Sequence, residues 1–132
     1  MPFVVPQHSI RGIELGMSRA AVVQRLGRPA HVRHATNDLG PYTQLQYKGL
    51  RITFAFDGGV SELESTDVRD RTRDGAGVGA TEPQIRAALP KLLCDNAPRH
   101  CHLGKYQAGR IVTDFFLRNG RVWRLVVGRV LD

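Results

Sequence analysis

The sequence predicts an α+β domain of two tandem repeats, each a helix followed by about three antiparallel strands. Three observations lead there. The stretch GIELGMSRAAVVQRLGRP, Gly12 to Pro29, returns in altered form as GAGVGATEPQIRAALP, Gly75 to Pro90. Each copy is followed by alternating apolar segments that meet at a glycine turn, Asp57-Gly58-Gly59 in one and Asn119-Gly120 in the other. The chain has 132 residues, 42% hydrophobic and 23% charged, which suits one compact domain rather than a disordered segment. A half of about 60 residues would hide only roughly 60% of its unfolded surface, so the halves are expected to share one core. The organisation reads as a single domain over 1–132, with repeat one at 8–66, a charged connector at 67–74 and repeat two at 75–132.

Taken in order, the first helix has Ser18 as its N-cap, able to accept from free backbone N–H groups of the first turn. Val22 and Leu26, with Ala21 beside them, form its buried stripe, Gly27 ends it, and Pro29 bars its return. In the second helix Thr81 and Gln84 spell a capping box, and Pro83 falls in the first turn, where a missing N–H costs little. One constant offset aligns Gly12 with Gly75, Gly16 with Gly79, Val22 with Ile85 and Leu26 with Leu89, and puts Pro90 where Gly27 stood. The strands then read HVRHAT, YTQLQYK and LRITFAF-to-VSELES in the first half, and CHLGKY and RIVTDFFLRN-to-RVWRLVVG in the second. Phe54 and Phe56 align with Phe115 and Leu117, and the second hairpin carries one extra residue before Val122. Between the halves TDVRDRTRDG alternates in charge and reads as a solvated connector.

Cys94 and Cys101 enclose DNAPRH, a loop with turn character. A disulfide closing that loop fits and implies an oxidising compartment. Zinc held by Cys94, His100, Cys101 and His102 is the competing reading, weakened by the missing CxxC and by the way neighbouring residues on a strand point to opposite sides. Two inert thiols are the third. No metal and no cofactor is expected. MPFVVPQHSI is too short and too proline-rich for a signal peptide, so an extracytoplasmic home, secreted or in the cell envelope, implies a leader outside this sequence. No segment approaches the roughly 20 apolar residues of a membrane helix.

The formal charge is +7, from 19 Lys and Arg against 12 Asp and Glu, and favours acidic partners. The arginines are scattered rather than gathered on one stripe, which speaks against a nucleic-acid binder without removing that alternative. An enzyme using Cys101 or the histidines is the other alternative, and would need a free thiol with a base in reach. The glycines at 75, 77 and 79 faintly resemble a phosphate loop, but no Lys-[Ser/Thr] follows and they read as the lead-in to a helix.

A binding surface is the stronger reading. On RIVTDFFLRN, Ile111, Thr113, Phe115 and Leu117 match the core face, leaving Val112, Asp114, Phe116 and Arg118 opposite. On RVWRLVVG, Val122, Arg124 and Val126 alternate with Trp123, Leu125 and Val127. Both faces of this hairpin therefore carry apolar residues: the second is either covered by the first half or is a partner site. The candidate binding residues are Phe116, Arg118, Arg124 and Val126, facing another protein. The corresponding face of the first half, with Gln44, Gln46, Lys48, Arg51 and Thr53, is polar.

The segment SIRGIELGMSRAAVVQRLGRP, with its hydrophobic-x-x-Gly-Met-Ser start, V-x-x-x-L helix and glycine exit, resembles the repeat opening of the β-lactamase inhibitory protein family. It is similar also to the small lipoproteins of the outer-membrane assembly machinery. The resemblance implies a curved antiparallel sheet with the helices on one face, a loop disulfide such as Cys94–Cys101, and a protein-binding role. Asp57-Gly58-Gly59 and Arg118-Asn119-Gly120 are too short to insert far into an enzyme, so β-lactamase recognition itself is not implied.

Overall fold

A computed structural model describes residues 3–55, 58–95 and 99–131. Phe56 and Asp57, and residues 96–98 of the loop between the cysteines, lie outside the described residues. A ribbon of β1 (Ser9–Ile10) and β2 (Ile13–Glu14) comes first, turning through Arg11 and Gly12, both at positive φ. Then follow α1 (Arg19–Leu26), β3 (His31–Asn37), β4 (Gly40–Tyr47), β5 (Leu50–Ala55), β6 (Val60–Ser65), α2 (Glu82–Ala88), β7 (Leu93–Asp95), β8 (His100–Leu103), β9 (Ile111–Arg118) and β10 (Arg121–Arg129).

The structure departs from the expected pair of helix-plus-three-strand repeats. Among the described residues the molecule is predominantly antiparallel β: one eight-stranded sheet, in the order β3-β4-β5-β6-β10-β9-β8-β7, beside the two-stranded ribbon. The helices are short, at eight and seven residues, and each commits a single fully buried side chain, Val22 or Ile85. Two physical causes stand out. The stops at Gly27 and Pro90 leave the helices only about two turns each. And β6 pairs with β10 from Leu125↔Ser65 to Gly128↔Glu62, which merges all eight strands into one surface.

The local signals act as the sequence implies. The Ser18 hydroxyl accepts from the Ala21 N–H at 3.1 Å, and Thr81 and Gln84 close a reciprocal capping box. Asn119 and Gly120, at φ of 54° and 78°, turn β9 into β10. Cys94 and Cys101 are register partners on β7 and β8 and form a disulfide.

The core lies on one face of the sheet. The row Leu45–Ile52–Leu63–Val127–Thr113 crosses five strands by direct register partners, and all five side chains are buried. Phe115, Leu125, Val22 and Ile85 close over it. Truncating a buried aromatic such as Phe115 typically costs about 3–5 kcal/mol, so this layer dominates stability.

The connector is anchored, not solvated. Asp70 is 1% exposed and takes a two-pronged pair from Arg11, Nε to Oδ1 at 3.0 Å and Nη2 to Oδ2 at 2.9 Å. The Ser65 hydroxyl donates to the same carboxylate. Hydrogen bonds from the Arg69 side chain and backbone N–H hold the Asp67 carboxyl well below the usual range, helped by the charges of Arg69 and Arg11. Gly77 packs against this segment so closely that a Cβ there would lie 2.3 Å from the Asp70 carbonyl oxygen. That close approach, rather than an anion, accounts for a glycine at 77.

Candidate functional site

The opposite face of the sheet carries the candidate residues. Alternation along β9 puts Val112, Asp114, Phe116 and Arg118 there, opposite Thr113, Phe115 and Leu117 in or beside the core. On β10 strict alternation fails. The pairing slips between Val122 and Arg124, so Trp123 is an extra, bulged residue. Val122, expected on the same face as Arg124, is instead 2% exposed in the core beside Leu125 and Val127. After the bulge, Arg124, Val126 and Gly128 point outward.

Three of the four expected residues come together. Phe116 and Arg124 are register partners, and the Arg124 guanidinium lies 4.2 Å from the Phe116 ring centroid. Val126 sits between Glu64 and Asp114 and is 8% exposed, so it supports the face from beneath rather than presenting itself. Arg118, at the end of β9, stacks instead on the bulged Trp123 at 4.1 Å. The result is two arginine–aromatic stacks side by side, a geometry worth about 0.5–1 kcal/mol each at exposed sites.

The first half contributes charges that the sequence reading left out. Arg51 Nη2 pairs with Glu64 Oε2 at 2.7 Å, and Arg124 Nη1 approaches Glu64 Oε1 at 3.6 Å. Glu64 is thus held between arginines of β5 and β10, while the Nε of each arginine is buried without a hydrogen-bond partner. One step along, Glu62 forms no ion pair among the described residues. Burial raises its carboxyl above the usual range, Glu64 and Asp114 raise it further, and Arg51 and Arg124 oppose them.

Toward the β7 edge lies a second polar cluster. His100 Nε2 is 2.6 Å from Asp114 Oδ1, and His100 Nδ1 is 3.3 Å from Asp95 Oδ2. The Tyr106 hydroxyl donates to the same Asp114 oxygen. Over half of Tyr106 is exposed, yet its hydroxyl turns inward, and burial followed by the Asp114 bond pushes its pKa above the usual phenol range. Strand alternation over His100-Cys101-His102 separates the two histidines from Cys101, which is in the core; their link to Asp114 required the β8–β9 register. Cys101 is spent in the disulfide, which removes the thiolate a cysteine-dependent enzyme requires.

At the other end of this face is a cleft of about 480 Å³. Its floor is set by Gln44, Thr53 and Glu62 in register, with Tyr42 and Ala55 beside them and Leu39 and Leu131 at the rim.

No family model matches the chain, and no curated protein matches it. Among solved structures it is similar to the crystal structure of the uncharacterized protein yfeY from Escherichia coli, with a TM-score of 0.58 at 13% identity, covering 95% of this chain and 99% of that one. At that identity the likeness speaks for the fold alone. No helix of the described residues is long and apolar enough to cross a membrane.

Proposed function

We propose that this chain is a non-catalytic, extracytoplasmic protein-binding module that holds an acidic protein surface against the outer face of β9 and β10. The observation that carries this is the pair of adjacent stacks, Arg124 on Phe116 and Arg118 on Trp123, both left partly exposed by the rest of the described chain. Aromatic and arginine side chains supply most of the energy at protein interfaces, and here they stand preordered, so little rotamer freedom is lost on binding. The +7 charge favours an acidic partner, and the disulfide supports an oxidising compartment. The resemblance of the first helix start to the β-lactamase inhibitory protein family supports a binding role in general.

The test is site-specific photo-crosslinking in an extracytoplasmic fraction, with the crosslinker at Trp123 and, as control, at the exposed Gln24 of α1. A nuclease-resistant protein adduct of low isoelectric point at 123, absent at 24 and lost in R118A/R124A, is expected. Equal adducts at both positions, adducts indifferent to the two arginines, or retention abolished by nuclease would overturn the reading.

A further inference from the structure

We infer that the cleft over β4, β5 and β6 is a binding site for an organic monocation, an alkylammonium or alkylguanidinium group, with Glu62 as its counter-ion. This goes beyond the protein-binding face on β9 and β10 and does not depend on it. The volume of about 480 Å³ lies within the range of small-ligand sites, roughly 300–1,000 Å³. The wall is divided as such a group requires. Leu39, Tyr42, Ala55 and Leu131 offer apolar surface to a hydrocarbon stem, and Glu62 offers one carboxylate to its head.

What singles out Glu62 is the absence of an ion-pair partner among the described residues. Of the cations nearby, Arg51 and Arg124 both reach to Glu64. Arg129 lines the cleft, but its Nη1 donates to the Gly109 carbonyl at 3.1 Å. Glu62 is only partly buried, but holding a carboxylate partly out of water without a partner costs free energy that a cation offsets. A single carboxylate suits a monocation, and no group of three or more metal-ligating side chains is found among the described residues.

The groups that face Glu62 set its response to pH. They are Arg51 on β5, Glu64 on β6, Asp114 on β9, and Arg124 and Arg129 on β10. A cation bound at Glu62 displaces its proton, so affinity falls as acidification protonates the carboxylate.

The experiment is a ¹⁵N amide-shift titration of the full chain with butylguanidinium, butylammonium and, as a neutral control, 1-butanol. Saturable shifts centred on Tyr42, Ala55 and Glu62 are expected, with the cations at least tenfold tighter than butanol and at least tenfold weaker in E62Q. Blocked arginine, N-acetyl-arginine methylamide, separates two sources of the same chemistry. If it binds as tightly as butylguanidinium, the group arrives on a partner's arginine; if tenfold weaker, the ligand is a free small cation. Butanol binding as well as the cations, or E62Q binding unchanged, overturns the inference. If E62Q fails to fold, wild-type protein decides between pH 7 and pH 4: cation affinity must drop at the lower pH while that of butanol holds.

Discussion

Arg11 and Arg124 each reach a carboxylate on a different part of the chain, and they differ in what is left over. Arg11 is 10% exposed and closes a two-pronged pair with an Asp70 that is 1% exposed, with Ser65 and Asp67 completing the network. Arg124 is 33% exposed, its contact with Glu64 is long, and its Nε has no partner. The first arrangement is saturated and pins the connector to the N-terminal ribbon. The second leaves part of the side chain at the surface and its Nε buried without a partner. Saturation marks a device of the fold, whereas the looser, partly exposed arrangement at Arg124 is compatible with the proposed partner face.

The sharpest way to break the comparison is to remove each arginine in turn. R11A strands a buried carboxylate and is expected to cost about 3–5 kcal/mol in urea unfolding. R124A, at the partly exposed pair and stack, is expected to cost about 1 kcal/mol or less. Equal losses would mean that the outer face is as structural as the connector. Next in size is the bridge at the β7 edge. Replacing Cys94 and Cys101 together by alanine frees a loop with a sequence separation of 7 and should cost about 2–3 kcal/mol, read from the same unfolding curves. The outer face on β9 and β10 should keep its amide shifts, because β9 is held independently by β10.

The smallest effect is a pH dependence. Asp67 has a folded pKa below its unfolded value of about 3.9. The stability it contributes is therefore fully present above that pH and is lost as the pH falls further. Wild-type unfolding free energy should drop more steeply between pH 5 and pH 3 than that of D67N. Parallel acid limbs in the two proteins would remove Asp67 from the saturated network.

Much of the local chemistry was legible in the residues themselves. Ser18, the Thr81–Gln84 box, the Asn119-Gly120 turn and the Cys94–Cys101 pair are signals whose partners lie within a few positions. What escaped depends on partners far along the chain. The β6–β10 pairing that turns the expected repeats into one sheet joins Ser65 to Leu125, and no local pattern encodes it. An extra residue is visible in the sequence of the second hairpin but reads there as preceding Val122; the register puts it after, at Trp123, which sends Val122 inward while leaving Phe116 and Arg124 together. Asp70 looked like one more charge in a solvated run, because its partner Arg11 lies on another element. Glu62 and Glu64 lie two apart on one strand, and what separates them is that Arg51 and Arg124 cross to Glu64.

The position of β10 has a consequence for how the chain is made. It is last in chain order but lies inside the sheet, between β6 and β9. Until it emerges from the ribosome, β6 and β9 both present bare hydrogen-bonding edges, the kind that recruit other chains. Closure then waits on a contact of long sequence separation, which slows folding. Holding factors that bind extended, unpaired segments should matter most for this protein during that interval, and lesions in β10 should surface as aggregation of new chains before they surface as loss of function.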